Sequence, residues 1–208
     1  MNKIRWRKNQ VISIETKKKD ENRDKNVYVL AQMLKDSQML FFNLFREDNN
    51  WVNVDLSDSP ILFCTYVTRQ FLKYSNVFKQ DIAPLVDYTP TNLYINSLGV
   101  EWRSVKLWEG TPDEYNVLVL GSGGQLVEEE IAADGILIPE KIIIPRILET
   151  DNQTIDKYEM SNVRIYPELN ERLHLCYRFN KNVDPLKDLK FNRFIPIEYK
   201  EYMEIMMS

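Results

Sequence analysis

Between Val27 and Pro84 the chain is a succession of short, intensely apolar runs separated by polar turns, and this pattern leaves few folds open. VYVLAQML, MLFFNLF and ILFCTYVT are too short and too rich in aromatic and β-branched residues to read as helices. EDNN and SDSP lie between them, and such side chains bond to their own backbone in turns. Trp51–Leu56 alternates, with Val52, Val54 and Leu56 on one face and Asn53 and Asp55 on the other. The unbroken run Ile61–Thr68 reads as a central strand buried on both faces. Upstream, Gln10–Glu15 and Val27–Leu34 read as a hairpin whose long charged tip is Thr16–Asn26. Five strands within about seventy residues predict a curled antiparallel sheet or a small barrel.

From Pro84 the pattern loosens. Leu93–Ile95 and Val105–Trp108 read as short strands. Tyr115–Leu120 and Gln125–Glu130 flank Gly121-Ser122-Gly123-Gly124, which reads as a hairpin turn. A phosphate-binding loop would need a helix start directly after its glycines, whereas QLVEEE follows here. Ile136–Ile138 and Lys141–Ile147 are apolar runs broken by proline, as edge strands are, and Glu149–Thr154 reads as an exposed linker. After a strand at Val163–Tyr166, Pro167 followed by Glu168 and Glu171 marks a helix start. Pro196–Met207 has helical spacing, with Tyr199, Met203 and Met206 on one side. The expectation is a single α+β domain over residues 1–208: a β-rich core at 1–84, a mixed extension at 85–208, and two helices near the C-terminus. A chain of 208 residues can bury a substantial core.

Residue types restrict the chemistry further. The chain has one histidine, His174, while hydrolytic metal centres usually draw on two or more. Cys176 is two residues from His174 and poorly placed to be its nucleophile on either a helix or a strand. Cys64 and Cys176 each lie in an apolar run and read as buried free thiols. No catalytic residue, no metal ligand and no cofactor is therefore expected. No stretch approaches the roughly 20 apolar residues that span a bilayer, and MNKIRWRKNQ does not continue into the apolar core of a secretory signal.

Charge is distributed unevenly. Residues 1–35 hold ten Lys and Arg against four Asp and Glu, so the remainder carries the excess of acid. The basic residues cluster in KKKDENRDKN, interleaved with acids where a solvated loop tip is expected, which argues against a nucleic-acid groove. The acidic remainder suits a basic protein partner.

The segments IRWRKNQVISIE, YVLAQML with its small Ala31, FFNLF, DLSDSPILFCTYV and FLKYSNVFKQDIAP together resemble the immunity protein 26 family of bacterial polymorphic-toxin systems. The likeness covers about the first half of the chain, and PELNERLHLCYRFNKNVDPL resembles a feature of a longer branch. Asn9-Gln10 and Glu15 stand where many members have a glycine-aspartate pair and a proline. The resemblance implies a cytoplasmic protein that neutralises a cognate bacterial toxin by direct protein–protein binding. Some relatives are labelled phosphotriesterase-like, so a hydrolase is the alternative it implies. For a basic nuclease as the toxin, the expected surface comprises Glu128, Glu129, Glu130 and Asp134, with Trp51 and Asp55.

Overall fold

The computed structural model describes residues 4–17, 25–131 and 137–207. Along the chain run β1 (Val11–Glu15), β2 (Tyr28–Met33), β3 (Gln38–Arg46), β4 (Ile61–Val67), α1 (Phe71–Tyr74), β5 (Val77–Lys79), β6 (Leu93–Ser97), β7 (Trp102–Leu107), β8 (Tyr115–Leu120), β9 (Gly124–Ile131) and β10 (Leu137–Ile147). These are followed by α2 (Asn152–Lys157), β11 (Val163–Arg164), α3 (Glu168–Phe179), α4 (Pro185–Lys190), a 3₁₀ turn at Ile197–Tyr199 and α5 (Lys200–Met207). The fold is α+β, with a curled, half-barrel-like sheet in the first part and short helices near the C-terminus. The chain divides into two compact units, Met1–Pro90 with Asn162–Val183 and Thr91–Ser161 with Asp184–Ser208. The β-rich stretch 1–84 falls wholly within the first.

In the first unit six strands form one sheet in the order β11-β4-β3-β2-β1-β5. All neighbours are antiparallel except β11, which runs parallel to β4. All five residues of β1 are buried, as are most of β2, β3 and β4. This double burial is why the sequence shows continuous apolar runs there instead of strict alternation. One face gathers Val11, Leu30, Leu40, Phe42 and Cys64 around Trp51 and Leu56. The other face carries α3: the Arg172 guanidinium lies 3.9 Å from the Phe63 ring centroid, and Tyr177 packs on Phe45 at 5.6 Å. Helix α3 begins one residue after Pro167 and ends at Asn180, whose left-handed backbone (φ 50°) closes its last turn. The charged hairpin tip expected over Thr16–Asn26 lies largely outside the described residues.

Trp51–Leu56 is not the alternating strand its sequence suggests but a series of turns. Asn53 has φ 58°, and Val52, expected inside, is 66% exposed. Local bonds from Asp and Asn side chains to the backbone win here over strand pairing.

In the second unit β10-β9-β6 form one sheet and β7-β8 a separate two-stranded ribbon. Ile95, Leu126, Ile147, Ile155, Met160 and Phe191 make its core. The strands flanking the glycine cluster lie close to where expected, but they do not pair with each other as a hairpin: β8 pairs with β7, and β9 with β6 and β10. Gly121 (φ 68°) passes so close to the carbonyls of Leu98 and Gly99 that a Cβ would collide with both. Ser122 N–H then donates to Leu98 O at 3.0 Å and Gly123 N–H to Lys190 O at 2.7 Å. These bonds lead the chain from one sheet to the other. Of the runs expected at Ile136–Ile138 and Lys141–Ile147, Ile136 lies outside the described residues, and the rest falls within one strand, β10 (Leu137–Ile147), at a sheet edge and containing Pro139 and Pro145. The piece expected as a linker, Glu149–Thr154, holds the start of α2, capped by the Asp151 carboxylate accepting from Thr154 N–H at 3.1 Å. The final helical segment buries Tyr199, Tyr202 and Met203, whereas Met206 is 42% exposed.

Arg164 on β11 and Glu168 at the start of α3 form an ion pair at 2.7 Å, with both side chains enclosed. Removing one partner leaves the other charge buried, the costly case for such pairs. Glu168→Gln is expected to lower the unfolding free energy by about 3–5 kcal/mol in a urea titration, and Arg164→Met/Glu168→Leu to lose less than that single change. A loss under about 1 kcal/mol for Glu168→Gln would show that the pair does not hold α3 to the sheet.

Candidate functional site

The connection from β3 to β4, Glu47–Ser59, is built so that its acids face outward. Its sequence, EDNNWVNVDLSDS, holds four acids and no Lys or Arg. Two side chains point inward: Trp51 is 5% exposed and Leu56 2%, both in the core of the first unit. Asn49 fixes the loop to the sheet. Its Oδ1 accepts from Ser13 Oγ at 2.6 Å, Trp51 Nε1 at 2.8 Å and Gln80 Nε2 at 3.3 Å. Arg46 lies over the Trp51 ring at 5.0 Å and donates to Asn50 O.

Short bonds set the rest of the loop. Asp48 and Asn50 accept from the amides two residues on, at 3.3 and 3.4 Å. Asp55 accepts from the Ser57 amide at 2.9 Å and hydroxyl at 2.8 Å. Those two donors hold its carboxyl below the usual range, so it is charged at neutral pH. Glu47 is likewise lowered by its bond to Lys25 at 2.8 Å, although that pair is exposed and screened by solvent. Asp48, Asp55 and Asp58 are all exposed. The result is an acidic loop whose shape is fixed by its own short bonds and by its buried anchors.

Of the residues expected at a partner surface, Asp55 stands exposed on this loop, and Trp51 fills the core beneath it instead of offering an aromatic surface. Glu128, Glu129 and Glu130 lie in the second unit on β9, and strand alternation divides them. Glu130 is exposed, and Glu128 is half-exposed, accepting from Asn92 Nδ2 at 2.7 Å. Glu129 turns to the opposite face and is 4% exposed, where it accepts from Ser161 Oγ. Asp134 lies outside the described residues. Asn49, which carries much of the loop's order, has little local sequence signal, because two of its three donors, Ser13 and Gln80, lie 36 and 31 residues away.

His174 sits on α3 with Nδ1 3.2 Å from Thr16 Oγ1 and its ring 6.0 Å from that of Tyr177. Cys64 and Cys176 are free and buried, and Cys176 Sγ accepts from Val183 N–H at 3.4 Å. Arg172, fully buried, donates to Val183 O and Asn182 Oδ1, each at 2.9 Å. Among the described residues no group of three or more His, Cys, Asp or Glu side chains is placed to hold a metal ion. No helix among them is long and apolar enough to cross a membrane.

A family model described as "Domain of unknown function (DUF8309)" matches residues 1–196, and the chain belongs to that family. No curated protein and no solved structure matches it.

Trp51→Ala is expected to cost about 3–5 kcal/mol in chemical denaturation, and Val52→Ala next to it less than about 0.5 kcal/mol. Equal effects would contradict the anchoring role of Trp51. A second expectation concerns Glu129, whose carboxyl burial raises above its ordinary 4.5. The folded protein then holds the proton more tightly than the unfolded chain, so this group's contribution to stability is lost as pH rises through the raised value. Glu129→Gln, which can still accept from Ser161, is expected to melt above the parent at pH 7 and to converge with it near pH 4. A melting difference independent of pH would refute the assignment.

Proposed function

We propose that this DUF8309 member is an immunity-type binding protein, one that neutralises a cognate bacterial toxin by direct protein–protein contact. The observation that supports it best is the Glu47–Ser59 loop. It displays Asp48, Asp55 and Asp58 outward on a segment whose anchors, Trp51 and Leu56, are sunk in the core. A loop already ordered loses little conformational entropy on binding, and a single-sign charged surface accelerates encounter with a basic partner. The sequence resemblance to immunity proteins favours a toxin as that partner. Asp55 is the contact residue carried forward from the sequence, Asp48 and Asp58 join it, and Trp51 acts as the loop's internal support.

The test is co-expression of this chain with toxins encoded beside its gene, scored by survival, followed by binding kinetics for the protective pair. The expected outcome is rescue by the parent chain. For the Asp48→Lys/Asp55→Lys/Asp58→Lys variant, the association rate at low salt should fall about tenfold or more while the melting temperature is unchanged. Survival no better than with an empty vector for every neighbouring toxin would sink the reading. Unaltered kinetics in the triple variant would move the contact away from this loop.

A further inference from the structure

Two cations of the second unit lie close together without an acid. Lys190, the last residue of α4, is only 6% exposed, and its ammonium donates to the carbonyl oxygen of Leu120 at the end of β8. An ammonium has three N–H donors. Arg103 on β7 spends its guanidinium on neutral acceptors: Gly121 O at 3.3 Å, Asn192 Oδ1 at 2.8 Å and Leu189 O at 2.8 Å. Among the described residues neither cation is paired with a carboxylate. Burial and, after it, the charge of Arg103 push Lys190 towards its neutral form. Enclosed cations are ordinarily paired, because desolvating them without a counter-charge is costly.

Lys190 opens onto a cavity of about 220 Å³ that is otherwise uncharged and largely apolar, with Trp102, Leu118, Leu120, Leu189 and Met206 among its walls. The β7-β8 register sets Trp102 opposite Leu120 and Ser104 opposite Leu118. Trp102, Leu118 and Leu120 therefore share one face of the ribbon. Trp102 is 68% exposed and Leu118 55%, so large apolar side chains stand open to solvent where the cavity lies. Methionine walls adapt to the shape of an aliphatic guest.

A cation against apolar walls is complementary to a molecule with one anionic head and one apolar body. The volume, below the roughly 300–1,000 Å³ of sites for drug-sized ligands, selects a small one. We propose that this cavity is a binding site for a medium-chain amphiphilic carboxylate, with the head group on Lys190 and the chain between β8 and α5. The site does not depend on the toxin-binding reading, since it uses neither the Glu47–Ser59 loop nor any residue of the first unit.

The experiment is titration calorimetry of the full chain with decanoate, decanol and acetate. The expected result is saturable, one-to-one decanoate binding, at least about tenfold tighter than decanol, with no acetate binding up to about 1 mM. Lys190→Met should weaken decanoate at least about tenfold and leave decanol unchanged. Leu118→Asp, an exposed position where the fold tolerates a charge, should abolish binding of both. If Lys190→Met does not fold, the decanoate–decanol ratio and Leu118→Asp decide the matter alone. Equal affinity for decanoate and decanol, unaltered decanoate binding in either folded variant, or no saturable decanoate binding up to about 1 mM would overturn the proposal.

Discussion

Strands β1 to β4 carry apolar side chains on both faces, so each face of that sheet must be covered by something else in the chain. This need places the remaining parts of the first unit. One cover is regular: α3 returns from far along the sequence and lays Arg172 over Phe63. The other is irregular: Trp51, Leu56 and the stretch containing Ile82, Leu85 and Tyr88 pack against Val11, Leu30 and Leu40. An irregular cover has backbone groups with no ladder partner, so buried polar side chains of the sheet supply the bonds. Gln32 both accepts from Leu85 N–H and donates to Leu85 O, at 2.8 and 3.0 Å. For the loop the fastening is between side chains, Ser13 of β1 donating to Asn49 Oδ1. The polar residues inside this sheet are thus the fastenings of its second cover.

That arrangement links packing to the function proposed above. The loop that shows acids to solvent is the loop whose apolar residues close the core, so its outward shape is as well determined as the core itself. On the proposed reading, a surface held in this way would meet its partner without first being ordered, which favours speed and selectivity of encounter over adaptability.

The strands of the first unit were legible because double burial writes them as continuous apolar runs. β1, β2, β3 and β4 lie within a residue or so of Gln10–Glu15, Val27–Leu34, Met39–Phe45 and Ile61–Thr68. Where reading failed, a local chemistry imitated another. Trp51–Leu56 alternates like a strand, yet its Asn and Asp side chains satisfy the backbone in turns. The glycines at 121–124 look like a hairpin tip, yet they serve a close passage beneath Leu98 and Gly99. α4 carries a local signal of its own, Asp184 as cap with Pro185 at the first helical position. Asp55 as an exposed acid was readable, whereas the division of Glu128–Glu130 required the strand's register. Asn49 could not be found locally, because Ser13 and Gln80 meet it only through the tertiary fold.

The edge strand β10 carries a different consequence. Ile142 and Ile143 are 54% and 40% exposed on a long strand with one side unpaired among the described residues, the composition from which cross-β stacking grows. Pro139 and Pro145 each remove an amide donor from the strand, and Lys141 and Arg146 set exposed charge between the isoleucines. Such gatekeepers deny an incoming chain a continuous row of donors. The second unit can therefore keep a sticky, apolar strand at its margin without seeding the insoluble fibrils that the same isoleucines would otherwise nucleate.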